Sequence, residues 1–203
     1  MNNQKREYRI TSAADIPDWN TVPALQVDQV LWKPDCGIRA SGQFCYSEKA
    51  LHVHLRAVET DIRAEYTAPL SPVCRDSCLE FFFMPEKEDR YFNFEINPNG
   101  CLNIGFGHGR KDSTVLYREN MKELFDIRPQ KTRDGWEVFY RIPLSFLRLF
   151  IPNVAFAGTL LATVYKCGEL TEHEHYLSWN PVTSETPDFH RPGDFGLMIF
   201  EQS

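Results

Sequence analysis

The sequence predicts an all-β fold, closer to a sandwich than to an α/β arrangement. Three observations carry this: apolar and polar residues alternate in several short runs, turn-forming pairs separate those runs, and helical periodicity is scarce. In chain order, Leu51, Val53 and Leu55 alternate with His52, His54 and Arg56, the pattern of a strand with one wet face. Leu79 to Met84 is a continuous apolar run. Phe92, Phe94 and Ile96 alternate with Tyr91, Asn93, Glu95 and Asn97, and Asn99-Gly100 then turns the chain into Cys101 to Phe106 as a hairpin. Gly105-Phe106-Gly107-His108-Gly109 opens no helix, so it reads as a loose hairpin or bend and not as a phosphate loop. Asp134-Gly135 introduces Trp136, Val138, Tyr140 and Ile142, which alternate with Glu137, Phe139 and Arg141. Gly158 to Tyr165 and Phe195 to Phe200 complete the strands. The one helical candidate is Pro143 to Phe150, with proline at its first position and Leu144, Leu147 and Phe150 at helical spacing.

Composition bounds the rest. At 203 residues, with 42% hydrophobic and 25% charged residues, the chain is one globular domain with a sizeable core, expected to span residues 1–203. A net charge of -6 and the lack of a basic stripe argue against nucleic acid as a partner. No apolar run is long enough for a membrane span, and Met1 to Ile10 lacks a signal-peptide core, so the chain as given reads as cytoplasmic, or extracellular had a leader been removed. Six cysteines stand outside any Cys-x-x-Cys pair, several inside apolar runs, and read as buried free thiols. His52/His54 and His173/His175 are each two apart, but no third and fourth zinc ligand follows from spacing, so no metal site is assigned. Nothing in the sequence sets the oligomeric state.

The run Asp76-Ser77-Cys78-Leu79-Glu80-Phe81-Phe82-Phe83, then Tyr91 to Gly100, resembles the family-9 carbohydrate-binding modules and their stand-alone relatives. So do Tyr165-Lys166-Cys167-Gly168, His175-Tyr176-Leu177-Ser178-Trp179, Asp188-Phe189-His190-Arg191-Pro192 and Phe195-Gly196, and with Trp136 and Ile142-Pro143 the likeness spans the chain from about Leu31 onward. The resemblance implies a two-sheet antiparallel β-sandwich, jelly-roll-like, that binds sugars without cleaving them. It implies a slot in which two tryptophan faces grip the ring. Trp179 matches one of that pair in context, while no tryptophan stands just before Asp76 where the other is expected. The resemblance also permits a structural calcium near Asp76; no other cofactor is expected.

The residues themselves suit such a ligand. A sugar ring has an apolar C–H face and a rim of hydroxyls, so it needs an aromatic plate and a few directed polar groups. Asn93, Glu95 and Asn97 share one face of a strand as a row roughly 13 Å long. Charge-assisted hydrogen bonds from Arg63, Glu80, Glu95 or Lys166 would orient hydroxyls, and His190 and Arg191 would close one side. Each residue also has a plainer reading: Trp179 as a loop anchor, the Asn93 row as the solvated face of a sheet, Arg63 and Lys166 as surface charges. The function expected is therefore non-catalytic saccharide binding. Its alternatives are a glycoside hydrolase using Glu80 and Glu95, or a protein-interaction domain whose aromatics mark a partner surface.

Overall fold

The computed structural model describes residues 5–202. Fourteen strands account for most of its regular structure: β1 Glu7–Ser12, β2 Leu25–Val27, β3 Gln29–Val30, β4 Arg39–Tyr46, β5 Ala50–Val58, β6 Cys78–Met84, β7 Tyr91–Ile96, β8 Leu102–Gly109, β9 Asp112–Leu116, β10 Arg128–Lys131, β11 Gly135–Pro143, β12 Thr159–Gly168, β13 His175–Ser178 and β14 Gly196–Phe200. Two one-turn helices, α1 (Met121–Leu124) and α2 (Leu144–Leu147), interrupt them. The helix expected over 143–150 is thus present but shorter, and α1 is too short to show a period in sequence. No helix among the described residues is long and apolar enough to cross a membrane.

The all-β expectation holds, but the pairing is mixed. One ladder runs β10-β11-β5-β4, the other β14-β12-β6-β7-β8-β9, and β1 joins them edge to edge into one curled path. Within each ladder the pairs are antiparallel, whereas β1 pairs parallel with β14 through residues 7–10 and with β4 through residues 11–12. The reason is connectivity. Antiparallel neighbours such as β7 and β8 are linked by a tight turn, with Gly100 at φ 76° supplying the left-handed residue. No short turn links β1 to either partner, so nothing forces it antiparallel.

Between the ladders lies the core. Leu51, Val53 and Leu55 of β5 and Trp136, Val138 and Tyr140 of β11 face Leu79, Phe81 and Phe83 of β6 and Phe92, Phe94 and Ile96 of β7. Phe44 and Phe81 meet at 4.7 Å between ring centroids. Each fully buried phenylalanine contributes about 1.5–3 kcal/mol of transfer free energy. The opposite face of β6, β7 and β12 is not the wet surface that alternation suggests. Phe82, Tyr91, Tyr165 and Cys167 on it are buried under the segment 182–195 and form a second apolar cluster with Phe189 and Phe195. That covered outer face positions the candidate site.

Candidate functional site

Strand register builds the site. Glu80 of β6 stands directly opposite Glu95 of β7 and opposite Tyr165 of β12; Cys78 of β6 stands opposite Cys167 of β12, and Tyr176 of β13 opposite Cys167. All of these project from the outer face. Over them fold Trp32, from the loop after β3, and the segment Pro187 to His190. Trp32 adopts φ 54°, donates its indole N–H to the Ser184 carbonyl at 2.8 Å, and packs 5.5 Å from the Phe189 ring and 5.4 Å from Tyr176. The result is a cavity of about 160 Å³ with Trp32, Tyr176 and Phe189 as an aromatic wall and Glu80, Glu95, Arg110, Glu169, Asp188 and His190 as polar lining. A neighbouring hollow of about 370 Å³ shares Glu95, Arg110 and His190 and is floored by Asn93, Asn103 and Gly105.

The electrostatics are lopsided toward acid. Burial, then the neighbouring Glu95, pushes the Glu80 carboxyl well above its ordinary value, and burial pushes Glu95 up to about 7 although the Asn93 amide donates to it at 2.9 Å. The Cys167 thiol donates to Glu80 at 3.1 Å. Two carboxyls abreast on adjacent strands cannot both ionise cheaply, so the pair holds a proton near neutrality. Burial, then Arg110, lowers His190 to about 4, so its ring is neutral; it shares a 2.8 Å hydrogen bond with the Tyr91 hydroxyl, while Arg110 pairs with Asp188 at 3.3 Å. The side-chain oxygens of Asn93 and Asn103 are buried without a hydrogen-bond partner and belong to the second hollow. Gly105 is what makes room for the first: a Cβ there would lie 2.4 Å from the Asn93 oxygen.

Of the residues expected from sequence, Glu80, Glu95, His190 and Asn93 come together here. Five do not. Trp179 is 3% exposed, sits in the core cluster, and lies so close to Gly196 that a Cβ there would meet its ring at 2.8 Å; it is a core anchor, not a plate open to ligand. Lys166 neighbours Cys167 on β12 and therefore points the other way, into the interior, where its ammonium contacts Glu59 at 3.2 Å and His175 at 2.8 Å. Asn97 spends its amide on Tyr66 and Asp76 and its carbonyl on the Asn99 and Cys101 N–H groups of the hairpin. Arg63 pairs with Asp76 and Glu65 away from the cavity, and Arg191 pins the turn before β14 through Asp194 and Thr183. Asp76 does not fit a calcium ligand: Arg63, two backbone N–H groups and the Asn97 amide surround its carboxylate, a shell of donors that repels a cation.

Trp32, Arg110 and Glu169 line the cavity from outside any sequence motif, and Tyr176, Asp188 and Phe189 line it from within the motifs that carry the family resemblance, though not expected there as ligand contacts. A lone tryptophan opening the loop Lys33-Pro34-Asp35-Cys36-Gly37 is the one local signal available, because an aromatic beside a proline and glycine loop has no strand face to occupy.

Comparison with known proteins bears on the fold and the family. The carbohydrate-binding family 9 model matches residues 12–200. The structure is similar to that of a candidate carbohydrate-binding protein from Bacteroides uniformis, with TM-score 0.83 and 27% identity over 98% of this chain and 100% of the other. It is also similar to a family 9 module from Caldicellulosiruptor kristjanssonii solved with glucose (TM-score 0.70, 13% identity, 98% and 97% covered) and with cellotriose (0.69, 12%, 98% and 95%). A search of curated protein sequences finds no match. With its model spanning nearly the whole sequence, the chain belongs to carbohydrate-binding family 9.

Proposed function

We propose that this domain binds a small saccharide in the cavity walled by Trp32, Tyr176 and Phe189, without cleaving it. Family membership supports carbohydrate binding, and the relatives from Caldicellulosiruptor kristjanssonii hold glucose and cellotriose. The observation that carries the reading is the pairing of an aromatic wall with directed polar groups in one cavity. A ring laid against Trp32 presents its hydroxyl rim to Glu80, Glu95, Arg110 and His190. The adjoining hollow offers the two free amide oxygens of Asn93 and Asn103 as acceptors for further hydroxyls. The half-protonated Glu80/Glu95 pair both donates and accepts, as a hydroxyl does, and so matches a neutral ligand better than two full charges would.

Calorimetric titration of glucose and cellotriose into the wild type and Trp32→Ala tests this. Saturable binding is expected, weakened at least about tenfold in the variant, a loss of about 1.4 kcal/mol. Silence from both sugars with the protein folded, or unchanged binding by Trp32→Ala, overturns it.

The raised carboxyls favour a second reading, a glycoside hydrolase, since a general acid must hold its proton near neutral pH. Register speaks against it: Glu80 and Glu95 are direct cross-strand partners rising side by side from one floor, whereas a hydrolase sets its carboxyls on two sides of the scissile bond. Turnover of a chromogenic glycoside that vanishes in Glu95→Gln would establish the hydrolase.

A further inference from the structure

Below the aromatic wall, two thiols stand beside Glu80, and a sugar has no need of them. Cys78, Glu80 and Cys167 each place one ligand atom so that all three lie within 4.8 Å of one another, and all three residues are buried. The ladder fixes them: Cys78 and Glu80 are two apart on one face of β6, and Cys167 is the direct partner of Cys78 across β12. The Cys167 thiol donates to Glu80 at 3.1 Å, with the Cys78 sulfur within 4.8 Å of both. A third sulfur, that of Cys74, lines the same cavity as Cys167 and Glu80.

Cys45 is the internal contrast. It is equally buried, but no side-chain hydrogen bond engages its thiol and burial alone raises it, to about 11. It behaves as a small hydrophobe. Cys167 instead lines the cavity beside a carboxyl, with Cys78 directly behind it.

We propose that Cys78, Cys167 and Glu80 form a binding site for one thiophilic divalent cation of the zinc class, independent of whether the cavity above takes a sugar. Two sulfurs and one carboxylate oxygen suit tetrahedral zinc, and the open cavity supplies the fourth position, to water or to the Cys74 thiol. Oxygen-seeking cations such as calcium or magnesium do not match a donor set with two sulfurs. Without metal the thiols are protonated, since a cysteine ordinarily titrates at about 8.5 and an apolar setting disfavours the thiolate further. Binding therefore replaces S–H with S–metal bonds and releases both thiol protons to solvent, leaving the sulfurs' oxidation state unchanged.

The test is a titration of the fully reduced, anaerobic full chain with Co²⁺, read by its thiolate-to-metal charge-transfer absorption and reversed by Zn²⁺. One equivalent is expected to bind. Its affinity should rise at least about 100-fold per unit of pH around neutrality, the signature of two released protons. Cys78→Ser and Cys167→Ser are expected to lose the charge-transfer band, Glu80→Gln to keep it while binding at least about tenfold more weakly, and Cys36→Ser, exposed and outside the cavity lining, to behave as wild type. Wild type that binds no cobalt at one equivalent, or a band that survives both serine variants, overturns the proposal. Should the serine variants misfold, Glu80→Gln decides: affinity equal to wild type overturns it as well.

Discussion

Two buried glutamates, Glu59 just after β5 and Glu80 on β6, have opposite surroundings. Glu59 faces the interior at 4% exposure, where the Trp136 indole N–H donates to it at 2.6 Å, the Ser77 hydroxyl at 3.2 Å, and the Lys166 ammonium neutralises it at 3.2 Å. Lys166 in turn donates to His175 Nε2, whose Nδ1 serves the His173 carbonyl at 2.7 Å. Every charge in that network has a partner. Glu80 faces the cavity at 2% exposure, with a thiol as its donor and another carboxyl as its neighbour. The difference separates structure from function: the interior network is satisfied and fixes the fold, whereas the cavity pair keeps an electrostatic demand that only a proton, a cation or a ligand meets.

The interior network offers the largest effect. Lys166→Met leaves Glu59 buried without a counter-charge and is expected to cost about 3–5 kcal/mol of unfolding free energy. Adding Glu59→Gln should return much of that, because the orphaned charge is what costs. Urea denaturation of the single and double variants measures both. If Lys166→Met lowered stability by no more than a typical surface change, within about 0.5 kcal/mol, the contrast between the two sites would collapse.

The cavity pair is expected to respond with the opposite sign. Glu95 titrates at about 7 in the folded chain against an ordinary 4.5, so the folded state binds the extra proton across that window. Stability contributed by this group is full below pH 4.5 and is lost as pH rises through 7. Glu95→Gln removes the loss. It should leave stability nearly unchanged at pH 4 and raise it by about 1–2 kcal/mol at pH 8, a part of what the full shift would give because the group is partly solvated. A destabilised Glu95→Gln at pH 8 would mean that Glu95 is held by contacts as good as those of Glu59.

How far the sequence discloses this depends on the kind of information each residue carries. Alternation in Phe92, Phe94 and Ile96 and the Asn99-Gly100 turn are local, so β7 and β8 are readable, as is the shared face of Asn93 and Glu95. Which face meets solvent is not local. The outer face is closed by Phe189, about a hundred residues away in the chain, and no periodicity reports that. Lys166 misleads for the same reason: its type suggests surface, while its parity on β12 aims it inward at Glu59. Trp179 turns inward and Trp32, to which the sequence assigns no role, walls the cavity, because each position is set by a neighbour elsewhere in the chain, Gly196 for the first and Phe189 for the second. The parallel pairing of β1 is equally invisible, since its partners β14 and β4 lie far along the chain.

The smallest effect sharpens the comparison at a residue both cavities share. His190 is lowered from 6.5 to about 4, first by burial and then by Arg110, so it folds neutral and the unfolded chain binds the proton more readily between those values. The stability it contributes is full above pH 6.5 and is lost as pH falls toward 4, opposite in direction to Glu95 over much of one window. In the wild type the two slopes offset each other and mask both. In a Glu95→Gln background the histidine slope stands alone, so stability should fall on acidification from pH 6.5, and His190→Asn in that background should flatten the fall by about 1 kcal/mol. Urea midpoints across pH 4 to 8 on the single and double variants read this out. An unchanged acid slope in the double variant would move the proton uptake to His175, which burial and then Lys166 lower to about 3 on the interior side of the same strands, and would make the satisfied network, not the cavity, the acid-sensitive half of the molecule.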